Sequence, residues 1–326
     1  MMRLATFNIE SLDLGPKMDV PFADRIAVLR PALQSIAADI LCLQEVNGQH
    51  VAGAPERRLV ALDVLLQGTR YETYQRAATT GPSGRGAASI HNLVTLSRFP
   101  IRHQRQVRHG HVKPVLHRYL TGTARASEPA PIEFDRPLLL TELELPGGET
   151  LHVINLHLRA ARASAVPGEK LRSSQWRSTS GWAEGYFLSA LKRSAQALEL
   201  RLLLDDIFAG NSRPLIAVAG DFNAEDHETP LELAVATPEE TGNAALASQS
   251  LMVLDRHIPV DRRWSVLHRG QPKMLDHILA SERLFSRLRN IEVHNELFRA
   301  DAPGDARATG NGGSSHAPLV ADFAGD

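Results

Sequence analysis

Apolar positions along the chain follow two rhythms. Residues 3–9 read as a strand. Then Ile26, Leu29, Leu33 and Ile36 recur at spacings of three and four, the repeat of a helix that buries one face. Pro31 inside that stretch implies a kink or a weakened helix. Residues 40–43 form an apolar run too short for a helix, expected to be a strand buried on both faces. Leu59, Leu62, Leu65 and Leu66 predict a second helix, stopped by Gly68. After the loop signal at 81–84, residues 93–96 and 132–145 read as strands, and Gly147-Gly148 turns the chain into another at 151–156. The longest helical pattern covers 184–209, with Phe187, Leu191, Leu198, Leu202 and Phe208 expected on its buried face. Further strands are expected at 215–219, 275–280 and 319–323, and 300–314 is the least structured stretch.

These elements interleave from end to end with no Pro/Ser-rich linker, so the expectation is one α/β domain over residues 1–326. A hydrophobic fraction of 43% and a charged fraction of 22% are those of an ordinary globular protein. A net charge of −1 excludes bulk attraction to nucleic acid or membrane; any such attraction must be local. Cys42 lies in an apolar run and reads as a core hydrophobe rather than a reactive thiol. The start lacks a signal-peptide profile, and no apolar run has the length of a membrane span, so a cytoplasmic location is expected. Arginine outnumbers lysine 31 to five, which suits phosphate recognition but follows equally from codon preference.

Chemistry collects where apolar strands end. Thr6-Phe7-Asn8-Ile9, Leu43-Gln44-Glu45-Val46, Asn155-Leu156-His157-Leu158, Gly220-Asp221-Phe222-Asn223 and Ser315-His316-Ala317-Pro318 all carry metal-binding or proton-moving groups there. Leu275-Asp276-His277-Ile278 puts an acid inside an apolar strand, which is costly unless a cation pairs with it. Each piece alone carries little. In this order the set resembles the endonuclease/exonuclease/phosphatase superfamily, and the resemblance runs from Thr6 to His316. The segment 96–101, Leu-Ser-Arg-Phe-Pro-Ile, is similar to the family's recurrent hairpin segment.

The resemblance implies a four-layer α-β-β-α sandwich with two facing mixed sheets. It implies that Glu45 is the principal metal ligand with Asn8 beside it. Few oxygen ligands suit a hard cation, hence Mg2+ or Mn2+. Asp221 would activate or position the attacking water, and Asn223 would hold a phosphate oxygen. Asp276 and His316 would form a couple that fixes the imidazole tautomer, and either His316 or Asp221 would be the base. His157 would contact phosphate or protonate the leaving group, with Asn155 and Asn92 as substrate-binding residues. Asn155-Leu156-His157 is similar to the deoxyribonuclease, sphingomyelinase and inositol-phosphatase branches. His277 alternates to the other face and is expected to be structural.

One departure is Ser315, where the family usually has Asp; Asp301 and Asp305 are the acids nearby in sequence. From Thr73 to Ser127 there is no acid but nine basic residues, and 159–177 carries five against Glu169 alone. Both suggest an electropositive rim for an anionic substrate. Trp176, Trp182 and Tyr186 are expected to anchor the long helix. The function implied is a divalent-metal-dependent phosphate-ester hydrolase of phosphodiesterase or nuclease type, with nucleic acid a possible substrate. The alternatives are a decayed binding module, with Ser315 the first sign of decay, or a small-molecule phosphomonoesterase.

Overall fold

The computed structural model describes residues 1–15, 20–123, 128–268, 270–296 and 313–325. Its main strands are β1 (Met2–Leu12), β2 (Ile40–Val46), β3 (Gln75–Ala78), β4 (Asn92–Ser97), β5 (Ile101–Val107) and β6 (Leu138–Glu144). They continue with β7 (Thr150–His157), β8 (Leu215–Asp221), β9 (Leu251–Val253), β10 (Asp276–Ser281), β11 (Leu288–Val293) and β12 (Leu319–Phe323). Two six-stranded sheets result, in the orders β11-β12-β1-β2-β4-β3 and β9-β10-β8-β7-β6-β5. The two share a plan. One parallel pair, β1/β2 or β7/β8, sits at the centre, and every other neighbour is antiparallel.

Helices α1 (Phe22–Ile36) and α2 (Val60–Leu66) pack on the outer face of the first sheet. Helices α3 (Thr179–Gly210) and α4 (Thr229–Val235) pack on that of the second. A third apolar layer, with Leu4, Ile40, Val153, Ala217 and Phe323, fills the space between the sheets. This is the four-layer sandwich. Each Leu or Ile sealed in it contributes about 1.5–3 kcal/mol.

Period-two alternation makes this arrangement and also builds the site. The inward row of β1 runs Leu4, Thr6, Asn8, and that of β2 runs Ile40, Cys42, Gln44. On the second sheet the rows are Leu151, Val153, Asn155, His157 on β7 and Leu215, Ala217, Ala219, Asp221 on β8, while β10 adds Ala280, Ile278, Asp276. Every row passes from apolar to polar toward the same end of the sandwich. Midway, Asn155 Nδ2 donates to Leu43 O at 3.2 Å and Val94 O at 3.0 Å. Its Oδ1 accepts from Gln44 Nε2 at 2.8 Å, which ties the sheets together below the polar end.

Three expectations need correction. The segment 96–101 is not a hairpin: β4 and β5 lie in different sheets, and Arg98, Phe99 and Pro100 carry the chain across. The expected strand over 132–145 breaks after Ile132, and β6 begins only at Leu138, because Pro137 and the charged Asp135-Arg136 interrupt the ladder. On α3, Phe187 is 55% exposed and Leu198 39%, while Leu188, Ala197, Leu200, Leu203 and Leu204 face the core. The cause is that the helix's inward side also buries polar groups. Glu184 accepts from Leu120 N, Thr121 N and Thr121 Oγ1, and Glu199 accepts from three backbone N–H groups at 110–112. A polar residue on this helix therefore does not mark the solvent side.

Cys42 is buried, and burial pushes its thiol up to about 12. Asp301, Asp305 and most of the stretch 300–314 lie outside the described residues.

Candidate active site

Strict alternation would turn Glu45 outward with Leu41 and Leu43. Instead Glu45 adopts a left-handed backbone, φ 61°, where the β1/β2 and β2/β4 registers shift. Glu10 and Ser11, at φ 46° and 50°, make the matching irregularity on β1. The double bulge aims the Glu45 carboxylate between the sheets. Arg25 of α1 fixes this turn by donating to Ile9 O at 2.5 Å and Ser11 O at 3.3 Å, and it reaches Gly313 O at 2.7 Å.

Asn8 stands between two acids. Its Nδ2 donates to Glu45 Oε1 at 3.2 Å and to Asp221 Oδ2 at 3.0 Å, while its Oδ1 accepts from Glu10 N at 2.9 Å. Glu45 Oε2 accepts from Ser11 N and Ser11 Oγ, both at 3.0 Å. His157 Nε2 lies 3.3 Å from Asp221 Oδ2 and 3.8 Å from Glu45 Oε1. His316 Nε2 lies 4.0 Å from Asp221 Oδ2, and its Nδ1 meets Asp276 Oδ2 at 2.8 Å. Glu45, Asp221 and His316 thus meet at one polar end of the sandwich with Asn8, His157 and Asp276.

Asn223, φ 49°, donates its backbone N–H to Asp221 Oδ1 at 2.8 Å and its Nδ2 to Leu158 O at 3.2 Å. Gly220 just before Asp221 has φ 153°. A Cβ there would sit 2.0 Å from Leu156 O, so only glycine lets β8 lie this close to β7.

Asn92 is buried at the rim. Its amide donates to Val46 O at 2.8 Å and Ala88 O at 2.9 Å and accepts from Ala88 N at 2.8 Å. The Nδ2 donors of Asn92 and Asn155 are therefore spent on backbone carbonyls.

Sequence reasoning missed two residues here. His91, φ 58°, brings Nδ1 to 3.7 Å from Glu45 Oε2 and its ring to 6.0 Å from that of His157. Arg136 donates to His157 O at 3.1 Å and lends positive charge to Glu45 and Asp221. The signal for Arg136 was the charged break within 132–145; nothing in the pattern distinguished His91.

The electrostatics divide the groups. Burial, then Arg136 and the other two imidazoles, push His157 well below its ordinary value, so it is neutral. Burial also opposes charge on His316. The Asp276 carboxylate and its hydrogen bond overcome that, with help from Asp221 and Glu45, and raise His316 to about 10. Burial and the neighbouring Asp276 charge raise Asp221 to about 7. For Glu45, burial is outweighed by His91, Arg136 and the Asn8 bond, and the carboxyl is held below its usual value. A neutral imidazole, an imidazolium, an ionised carboxylate and a carboxyl near neutrality face one another.

Among the described residues, two sets of donor atoms are close enough to hold an ion: Glu45, His91 and His157, and Asp221, Asp276 and His316, each set within 4.8 Å. Asp276 Oδ1, His91 Nδ1 and His157 Nδ1 are buried without a hydrogen-bond partner. The donor set therefore fits a divalent cation. The carboxylate that reaches Ser315 is Glu10, whose Oε2 accepts from Ser315 N at 2.7 Å.

The expected basic rim is partly used elsewhere. Arg76, Arg98, Arg102 and Arg118 pair with Asp63, Asp39, Glu144 and Glu128, and β5 is a sheet edge whose charged side chains discourage further pairing. Arg125 lies outside the described residues. Trp176 anchors α3 as expected, packing near Gly185 under Lys170. Trp182 and Tyr186 instead meet at a tilt, ring centroids 5.6 Å apart, at the surface.

The family model described as "Endonuclease/Exonuclease/phosphatase family" matches residues 5–297. No curated protein matches the chain. Among solved structures, the mannosyl-6-phosphatase of Bacteroides thetaiotaomicron is similar at TM-score 0.59 and 12% identity, covering 99% of this chain and 100% of that one. The human Nocturnin catalytic domain with bound sulfate gives 0.56 and 20%, over 99% and 94% of the two chains. The Neisseria 3' phosphatase NExo, bound to product DNA hairpin, gives 0.53 and 17%, over 99% and 100%. At these identities the likeness is one of fold. Among the described residues no helix is long and apolar enough to cross a membrane.

Proposed function

The chain belongs to the endonuclease/exonuclease/phosphatase family of phosphoesterase hydrolases, and we propose that it is a divalent-metal-dependent phosphodiesterase of nuclease type. The observation that carries this reading is the convergence of Glu45, Asp221 and His316, from β2, β8 and the approach to β12, on one polar end of the sandwich. Glu45 would hold Mg2+ or Mn2+, with Asn8 flanking the ion and keeping the carboxylates of Glu45 and Asp221 apart. A cation there supplies polarisation of the phosphoryl oxygen and charge for the leaving oxygen.

The chain's own groups do the rest. Asp221 Oδ2 accepts the proton of the attacking water, and the backbone N–H of Asn223 fixes its other oxygen. The amide of Asn223 holds a phosphate oxygen. His316, oriented by Asp276, presents Nε2–H to the negative charge of the pentacovalent state. The neutral His157 donates to the phosphate, and the positive charge of Arg136 draws an anionic ester inward. Asn155 and Asn92 act at one remove: the first clamps the sheets, and the second holds the turn that carries His91.

The test is hydrolysis of DNA, RNA and sugar phosphates in Mg2+ or Mn2+, with and without chelator. Such an enzyme must lower the barrier by about 20 kcal/mol. Asp221→Asn and chelation should therefore each abolish turnover. Unchanged hydrolysis by Asp221→Asn would overturn the assignment, and preference for a sugar phosphate over DNA would favour a monoesterase.

A further inference from the structure

The distinctive feature of the site is an imidazole whose nitrogen faces Glu45 and bonds to nothing. His91 Nδ1 is buried, has no hydrogen-bond partner and stands 3.7 Å from Glu45 Oε2, beyond hydrogen-bonding distance. Its backbone is held in the left-handed region at φ 58°, a conformation costly for a residue with a Cβ. The surroundings enforce it. Asn47 Oδ1 accepts from His91 N at 3.0 Å, and the Asn92 amide locks the same turn to Val46 and Ala88. A strained, clamped imidazole aimed at a carboxylate without bonding it has the geometry of a ligand awaiting a shared ion. His91 Nδ1, a Glu45 oxygen and a His157 ring nitrogen lie within 4.8 Å of one another.

We propose that His91 is a nitrogen ligand to the divalent cation held by Glu45, and that it makes this centre prefer a borderline transition ion such as Mn2+ to Mg2+. The inference rests on the reading of the site as a metal centre. Magnesium takes oxygen ligands almost exclusively, whereas imidazole binds later first-row ions well.

The experiment is calorimetric titration of the purified protein with Mn2+ and with Mg2+, alongside pulsed electron spin resonance of the Mn2+ form to detect a directly bound histidine nitrogen. Three variants are compared: His91→Gly, His91→Asn and Glu45→Gln. Gly and Asn both tolerate the left-handed backbone, so folding survives. His91→Gly should weaken Mn2+ binding by about tenfold or more while leaving Mg2+ binding nearly unchanged, and should erase one nitrogen coupling. His91→Asn should narrow the Mn2+/Mg2+ ratio. Equal selectivity and an unchanged nitrogen signal in His91→Gly would overturn the proposal. Glu45→Gln separates the failures: if it binds metal as wild type does, the metal-centre reading itself falls.

Discussion

Strand β10 carries two histidine–aspartate couples back to back, and they have opposite fates. On the inward face Asp276 holds His316, with Nδ1 to Oδ2 at 2.8 Å. On the outward face the next residue, His277, meets Asp255 at 3.0 Å by the same atoms. The difference lies in the second nitrogen. His277 Nε2 reaches Ala224 O at 2.9 Å, its ring lies against Phe222, and its side chain is 0% exposed. His316 Nε2 faces Asp221 at 4.0 Å, and its side chain is 13% exposed. A closed couple is a buried ion pair that braces the fold. An open couple leaves one N–H for a substrate.

The sharpest way to break this comparison is to remove each histidine and measure turnover and stability separately. His316→Ala should lower turnover by roughly 10²–10⁴-fold; it also leaves the buried Asp276 without its imidazole, so some stability is lost with the activity. His277→Ala should act on the fold alone. It strands the Asp255 carboxylate in the core, at a cost of about 3–5 kcal/mol, while turnover per folded molecule stays near wild type. A His277→Ala protein of normal stability but no activity would erase the distinction.

Protons offer a gentler probe. Burial opposes charge on His277, but Asp255, its hydrogen bond and the Ala224 carbonyl win and raise it to about 9. Both ring nitrogens meet acceptors, so the folded protein holds the imidazolium. The folded value lies above the unfolded one, near 6.5. The stabilisation is therefore full below about pH 6.5 and is lost as pH rises through about 9. Denaturant titrations across that window should show stability falling in wild type, with a smaller fall in His277→Gln. Parallel slopes would mean that His277 is not the group responsible.

The two couples also mark how far the sequence is legible. Alternation alone put Asp276 and His277 on opposite faces, because the side-chain period of a strand is exact. The polar ends of β1, β7 and β8 were legible as apolar strands closing in metal-binding or proton-moving groups, and the resemblance gathered them into one candidate site. Alternation fails at Glu45. Its inward aim depends on a left-handed bulge that no apolar pattern announces, and the strand-end position in the resemblance had to stand in. His91 was invisible for the same reason. Asp255 could not be found as a partner either, since 22 residues of sequence separate it from His277. Strands β3, β5, β9 and β11 also went unread. β3, β5, β9 and β11 are the sheet edges, and an edge strand shows a weak apolar signal. On α3 the core register was misread because Glu184 and Glu199 point inward to hold loops.

The smallest expected effect tests why the open couple works without the acid usual beside it. Ser315 precedes His316, and its backbone N–H donates to Glu10 Oε2 at 2.7 Å. A carboxylate from β1 thus already lies beside residue 315, bonded to its backbone. Ser315→Asp would set two like charges together, and each would oppose ionisation of the other. Metal affinity should therefore change by less than about tenfold. The double variant Glu10→Gln/Ser315→Asp removes that repulsion and should bind metal more tightly than Glu10→Gln alone. The closed couple is insulated on the far face of β10, so none of these changes should alter the pH dependence of stability set by His277. If Ser315→Asp shifts that dependence, the two faces of the strand are electrostatically coupled. If Glu10→Gln leaves metal affinity untouched, Glu10 is not the substitute.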